Sequence, residues 1–278
     1  MKKLISLALA MMLMLSMAGM ALAEDSDWAY IQGKGKMIVG ITLFPPINYY
    51  DADGNLVGFD TELALAVGKK LGVEIEFQEI NWSAKEIELN SKNIDVIWNG
   101  MSITEERKEN MSVSKPYLYN MQAIVAKTDR IAAIEQSAEG LTVVSEEGST
   151  GEGKVLGTIP DDDTVQVSAR EFFSKSTYVA VDSQAKAVME VKAGTADVAV
   201  IDSVGAVAMV GEGTDYPDLS FSVKNNFGLQ EYGIAFRKGS DATAIVDQAI
   251  TELYQEGVVA EIAARYNLTD VLVPADAR

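Results

Sequence analysis

Past Trp28, apolar residues fall into two alternating spacings. Short runs rich in Val, Ile and aromatic residues predict strands over residues 37–41, 74–80, 94–98, 122–126, 141–145, 178–181, 196–201 and 232–236. Between them, apolar positions recur every three to four residues. They predict helices over 60–71, 83–91, 104–111, 183–193 and 241–266, the last interrupted by Gly257. Strands alternating with helices imply an α/β fold with crossover units and mostly parallel sheet. Several strands are apolar at consecutive positions, as expected when both faces are covered. There is also a weak internal echo. Residues 88–97 end a helix, turn and enter a strand, and residues 190–199 do the same, with Asp95 and Asp197 at matching strand mouths. The echo suits two similar α/β lobes.

The N-terminus follows a different pattern. Lys2 and Lys3 precede an apolar run from Leu4 to Leu22, and Ala21-Leu22-Ala23 fits the small-x-small cleavage pattern of a signal peptide over residues 1–23. A retained anchor is the alternative, since the run approaches the length of a membrane helix. Either way the chain is expected outside the cytoplasm, in the periplasm or the extracellular space. A lipoprotein is excluded because there is no cysteine. Removing the first 23 of 278 residues leaves 255, and losing the two lysines moves the net charge from −18 to −20. Such a chain repels nucleic acid and anionic lipid surfaces. Without cysteine or histidine there is no disulfide, thiolate, imidazole base or usual zinc site. An enzyme would have to work with carboxylates, Lys, Tyr or Ser.

Three strand mouths carry candidate chemistry. In Asn99-Gly-Met-Ser-Ile-Thr-Glu-Glu-Arg107, Thr104 is a helix cap and Arg107 falls in the first helical turn. Free N–H groups at such a mouth attract anions, and a guanidinium adds a fork that matches a carboxylate. The plain alternative is a surface arginine paired with Glu105, Glu106 or Glu109. Glu147-Gly-Ser-Thr-Gly-Glu-Gly-Lys154 is a near match to a phosphate-binding loop. Val155 and Glu152 argue against nucleotide, leaving a smaller anion site on Ser149 and Thr150. Asp202 ends an apolar strand, where α/β sheets place ligand groups, and it could equally cap the next helix. Phe44-Pro-Pro offers a stiff loop with a flat apolar ring, and Trp82 follows another strand. Each is a ligand wall or a core aromatic. Asp51-Ala-Asp-Gly-Asn reads as a hairpin turn rather than a calcium loop, and residues 161–163 as a solvated loop.

Taken in order, these segments resemble the polar amino-acid-binding proteins of ABC importers, the family 3 solute-binding proteins. The landmarks are Phe44-Pro-Pro, Gly58-Phe-Asp60, Asn93-Ile-Asp-Val, Ser102-Ile-Thr-Glu-Glu-Arg107, Ser114-Lys-Pro-Tyr117, Glu147-Gly-Ser-Thr150, Gly194-Thr-Ala-Asp197 with Asp202, and Tyr232-Gly-Ile-Ala-Phe-Arg-Lys238. The resemblance implies two Rossmann-like lobes joined by two crossover strands, a type II periplasmic-binding-protein fold. Lobe one takes residues 27–121 plus 233–278, and lobe two 122–232. It implies that Arg107 holds the ligand α-carboxylate, with Thr150 and Ser149 adding donors. Asp202 takes the α-ammonium, Gly100 and Ser102 supply backbone groups, and Phe44 and Trp82 sandwich the apolar part. It further implies a monomer without cofactor, metal or catalytic activity, delivering a polar or cystine-like amino acid to a membrane permease. Asn48, Gly100 and Glu86 depart from many relatives near the side-chain pocket, so the ligand stays open. The rival on this fold is a secreted cyclohexadienyl or arogenate dehydratase, with Glu86 as its acid.

Overall fold

The computed structural model describes residues 26–160, 168–225 and 227–278. The expected signal peptide and the 161–163 loop lie outside the described residues. Strands in chain order are β1 (Lys36–Ile41), β2 (Tyr49–Tyr50), β3 (Leu56–Val57), β4 (Glu74–Glu79), β5 (Val96–Ser102), β6 (Met111–Val113), β7 (Leu118–Lys127), β8 (Thr142–Glu146), β9 (Thr177–Val181), β10 (Val198–Asp202), β11 (Leu219–Ser222) and β12 (Leu229–Arg237). Helices are α1 (Asp27–Lys34), α2 (Phe59–Leu71), α3 (Lys85–Asn90), α4 (Glu105–Asn110), α5 (Ile131–Ile134), α6 (Thr150–Leu156), α7 (Ala169–Phe173), α8 (Gln184–Ala193), α9 (Ser203–Met209), α10 (Ala242–Gln255) and α11 (Val258–Arg265). The fold is the expected α/β arrangement of two lobes.

The main sheet runs β4-β1-β5-β12-β7-β10-β8-β9. Its two ends repeat one another. β4, β1 and β5 are parallel, as are β9, β8 and β10, and in each trio the first strand in the chain sits in the middle. The two middle strands of the path, β12 and β7, are antiparallel to their neighbours and to each other. β7 pairs with β12 over residues 118–121 and with β10 over 122–125, so the chain crosses between lobes there. β12 makes the return crossing, pairing with β7 up to Tyr232 and with β5 from Tyr232 on.

The sequence echo has a physical basis. Asp95 accepts from Ile38 N at 2.8 Å, and Asp197 from Thr142 N at 2.9 Å. Each carboxylate ties the entry of its strand to the neighbouring central strand. Cationic partners complete both, Lys34 and Arg237 on Asp95, Arg130 on Asp197.

Local signals set the helix ends. Ser183 caps α8 by accepting from Lys186 N, and Gly194 closes it in the left-handed conformation. Gly257, at φ +80°, splits the expected C-terminal helix into α10 and α11. The hairpin expected at residues 51–55 is present: Asp51 accepts from Asp53 N and Asn55 N between β2 and β3. Apolar packing gathers Val39, Phe59, Leu63, Trp98, Phe236 and Ile250 on one side of the crossing, and Val125, Val144, Val188 and Ile201 on the other.

Candidate functional site

The C-terminal ends of β5, β8 and β10 converge between the lobes. The cavity left between their side chains is about 10 Å³, room for roughly one water, and is lined by Phe44, Trp82, Asn99, Gly100, Ser102, Arg107, Glu146, Ser149, Thr150, Gln184 and Asp202. Eight of the nine residues singled out from sequence therefore share one cavity. Asn48 does not line it. It is fully buried behind it, donating to Thr61 Oγ1 and accepting from Asn99 Nδ2. Asn48 thus belongs to a supporting layer, because Asn99 and not Asn48 faces the cavity. A larger depression of about 410 Å³ lies on the outer side of β8 and β9, where Lys186 and Glu190 pair with each other.

Arg107 is buried, and among the described residues it has no ion pair with Glu105, Glu106 or Glu109. Glu105 pairs instead with Lys108. Thr104 caps α4 by accepting from Arg107 N, which turns the arginine side chain back toward the strand end. Its guanidinium donates to Ser102 O at 2.7 Å and across the cleft to Gly148 O at 3.2 Å. It sits 5.8 Å from the Trp82 ring centroid, with the Lys85 ammonium 4.9 Å from the same ring. Burial lowers the Arg107 pKa, and Asp202 followed by Glu86, Glu106 and Glu146 opposes that shift. Trp82 thus faces two cations, a role its position after a strand did not reveal.

Lobe two answers with acid. Asp202 is buried, and burial pushes its pKa up against the bonds it accepts. Oδ1 accepts from Asn120 Nδ2 at 2.6 Å and Gln122 Nε2 at 2.5 Å, and Oδ2 from Gln184 Nε2 at 2.6 Å. It makes no side-chain cap bond to α9, so the capping alternative is set aside. Asn120 and Gln122 alternate along β7 and also donate to Gln230 Oε1, which accepts from Ser102 Oγ at 2.9 Å. This hydrogen-bonded network lies on the two crossover strands and ties the mouths of both lobes. The alternation of polar residues in Leu118-Tyr-Asn-Met-Gln122 was the available sequence signal for it.

Ser149 and Thr150 differ in role. Ser149 Oγ accepts from Glu152 N, capping α6. Glu152 in turn accepts from Gly148 N at 2.6 Å. A carboxylate thus occupies a loop N–H that a phosphate would need, which disposes of the nucleotide reading. Gly100 has φ +56°, and a Cβ there would come within 2.9 Å of the Phe44 ring and 3.0 Å of Tyr232. Backbone conformation and packing therefore both call for glycine here. Its N–H donates to Asp60 Oδ2 at 2.7 Å, which also accepts from Tyr117 OH at 2.8 Å. Asp60 is fully buried, and burial pushes its pKa up to about 7. Glu86 lies outside the cavity, accepting from Asn110 Nδ2. Three cavity groups escaped sequence reasoning, Asn99, Glu146 and Gln184.

The chain matches the bacterial extracellular solute-binding proteins, family 3, over residues 37–269, and belongs to that family. It is 30% identical over 239 residues to the arginine-binding extracellular protein ArtP of Bacillus subtilis, covering 84% of this chain and 87% of that one. It is 28% identical to the L-cystine-binding protein TcyJ of Escherichia coli, covering 95% of this chain and 94% of the other. Among solved structures, an ABC uptake transporter substrate-binding protein from Streptococcus pneumoniae with bound histidine superposes with a TM-score of 0.78. The two are 26% identical, with 90% of this chain and 100% of that one covered.

Proposed function

We propose that this family 3 member binds a free amino acid outside the cytoplasmic membrane and passes it to the permease of an ABC importer. One observation carries the reading. A buried guanidinium from lobe one and a buried carboxylate from lobe two face a single cavity. That is the charge pattern of a zwitterion's two ends. Arg107 takes the α-carboxylate, with the Thr150 hydroxyl and backbone groups at Gly100, Ser102 and Ser149. Asp202 takes the α-ammonium, and Phe44 and Trp82 flank the rest of the ligand. Lobe one comprises residues 27–121 with 233–278, lobe two 122–232.

A zwitterion bonds both lobes at once, so it stabilises the closed form by its differential affinity for closed over open. A molecule lacking either charge leaves Arg107 or Asp202 buried without its counter-charge, which is how the site rejects it. The arginine-, cystine- and histidine-binding relatives support the ligand class, and the uptake-transporter relative supports the permease partner. The protein acts as a monomer, exported by its N-terminal signal to the periplasm or cell surface, with no cofactor and no catalytic step. A dehydratase on this fold needs a carboxylic acid beside the ligand. Glu86 is misplaced for that, and the buried acids that line the cavity are Glu146 and Asp202.

A thermal-shift screen of the free amino acids, cystine included, tests the reading. A cognate ligand at 100 times its Kd should add about 2.7 kcal/mol of stability. A flat screen sinks it, and turnover of arogenate or prephenate replaces it with the enzyme.

A further inference from the structure

Glu146 and Asp202 end neighbouring strands of lobe two and both line the cavity. Their surroundings differ. Asp202 accepts three amide N–H bonds and faces the Tyr232 hydroxyl. Glu146 is buried, and its Oε1 has no hydrogen-bond partner among the described residues. The Thr42 hydroxyl lies beside Glu146 but gives its proton to Asn99 Oδ1 at 2.7 Å. Lys85 is buried nearby, yet its ammonium donates to Trp82 O and Gly148 O and forms no ion pair with Glu146 among the described residues.

A buried carboxylate oxygen without a donor is costly. The cations nearby do not supply that donor. Arg107 and Lys85 attract Glu146 through space, but both give their hydrogen bonds to backbone carbonyls. A ligand's α-carboxylate and α-ammonium, held by Arg107 and Asp202, leave Oε1 still without one. We propose that Glu146 receives a second positive charge, carried on the ligand's side chain, so that the ligand is a basic amino acid. This rests on the zwitterion reading of Arg107 and Asp202. An ammonium or guanidinium offers Oε1 the charge-assisted donor it lacks, while Phe44 and Trp82 provide apolar walls for the alkyl stem. Burial pushes the Glu146 pKa up to about 8. Asp202 raises it further, and Lys85, Arg107 and the Thr42 hydroxyl pull it down. A cation at Oε1 reverses that balance and ionises the group.

The test is calorimetric titration of the full protein, freed of carried-over ligand by refolding. Titrants are L-arginine, L-lysine, the neutral isostere L-citrulline, L-glutamine and L-cystine. In the unmodified protein arginine or lysine should bind about 30-fold or more tighter than citrulline or glutamine, the scale of a lost buried charge pair. Glu146→Gln should narrow that gap about tenfold or more, chiefly by weakening the basic ligands. A neutral ligand or cystine that equals or outbinds both basic amino acids overturns the proposal, as does a gap unchanged by Glu146→Gln. The ligand ratio in the unmodified protein decides even if the variant does not fold. If no amino acid binds at all, it is the zwitterion reading itself that has failed.

Discussion

At the mouth of lobe one, Ser102 ends β5, Thr104 caps α4, and Arg107 turns back into the cleft. At the mouth of lobe two, Glu146 ends β8, Ser149 caps α6, and Asp202 ends the adjoining β10. Both mouths use a strand, a short turn and a hydroxyl-capped helix. The first delivers a buried cation and the second buried acids. The lobes are joined through β7 and β12, so these charges come together when the cleft shuts. The Arg107 bond to Gly148 O already spans the gap. Opposite charges on like scaffolds give closure a polarity. A zwitterion of the matching orientation completes both halves, and a reversed one repels both.

Removing the lobe-one charge should have the largest effect. Arg107→Ala is expected to lose about 2–5 kcal/mol of ligand affinity, beyond ordinary detection for a weak ligand. Stability should change little, because the guanidinium bonds two backbone carbonyls and no buried acid depends on it through an ion pair. Calorimetry beside urea denaturation checks both, and an unchanged affinity would break the comparison at its root. Asp202→Asn probes the other half. The new amide nitrogen meets the donors of Asn120, Gln122 or Gln184, so about 1–3 kcal/mol of stability should go along with at least tenfold in affinity. Arg107→Ala should therefore spare the fold where Asp202→Asn does not.

Behind the lobe-one mouth, Asp60 holds Gly100 N–H and has its Oδ1 buried without a partner. Its pKa rises from 3.8 to about 7 through burial. A carboxyl raised in the folded state keeps its proton longer there than in the unfolded chain. Its contribution is present in full below pH 3.8 and is lost as pH rises toward about 7. Glu146 acts the same way up to about 8. Between pH 5 and 7, ligand-free stability should fall with pH by up to about 1.4 kcal/mol per unit for each such group. Asp60→Asn should flatten part of that slope. Denaturation at pH 5, 6 and 7 reads it, and a rising slope would place the raised acids elsewhere.

The lobes were legible in sequence because their information is local. The eight main strands carried short runs rich in Val, Ile and aromatic residues, and Ser183 with Gly194 marked both ends of α8. The pairs of residues in β2 and β3, and the short β6 and β11, were too brief to show a period. Helix α9 is built of small residues that spacing cannot assign. Arg107, Thr150 and Asp202 stood at strand ends, where chain order alone predicts a ligand. Gln184 and Gln230 did not, since Gln184 reaches Asp202 only once lobe two has folded and Gln230 reaches Ser102 only once the two lobes have met. Glu146 was hidden differently. It closes an apolar strand, and nothing in its neighbours announces that its far oxygen ends without a donor. The assignment of Asn48 to the cavity failed for a related reason. Sequence placed it correctly in the Phe44 loop, and three-dimensional packing put Asn99 in front of it.

The smallest expected effect separates two adjacent hydroxyls of lobe two. Ser149 Oγ accepts from Glu152 N, so it is committed to the helix cap. Thr150 is buried at the cavity wall at the N-terminal end of the same helix, and its hydroxyl takes no part in that cap. Thr150→Val keeps the shape and removes one donor to the ligand carboxylate, at about 1 kcal/mol or roughly fivefold in affinity. Ser149→Ala should instead cost about 1 kcal/mol of folding stability through the lost cap, with affinity changed less than twofold. Measuring both quantities on both variants gives a crossed pattern if the roles divide this way. If Ser149→Ala loses more affinity than Thr150→Val, the capping serine is the ligand's donor, and the mouth of lobe two answers the arginine of lobe one through its turn rather than its helix.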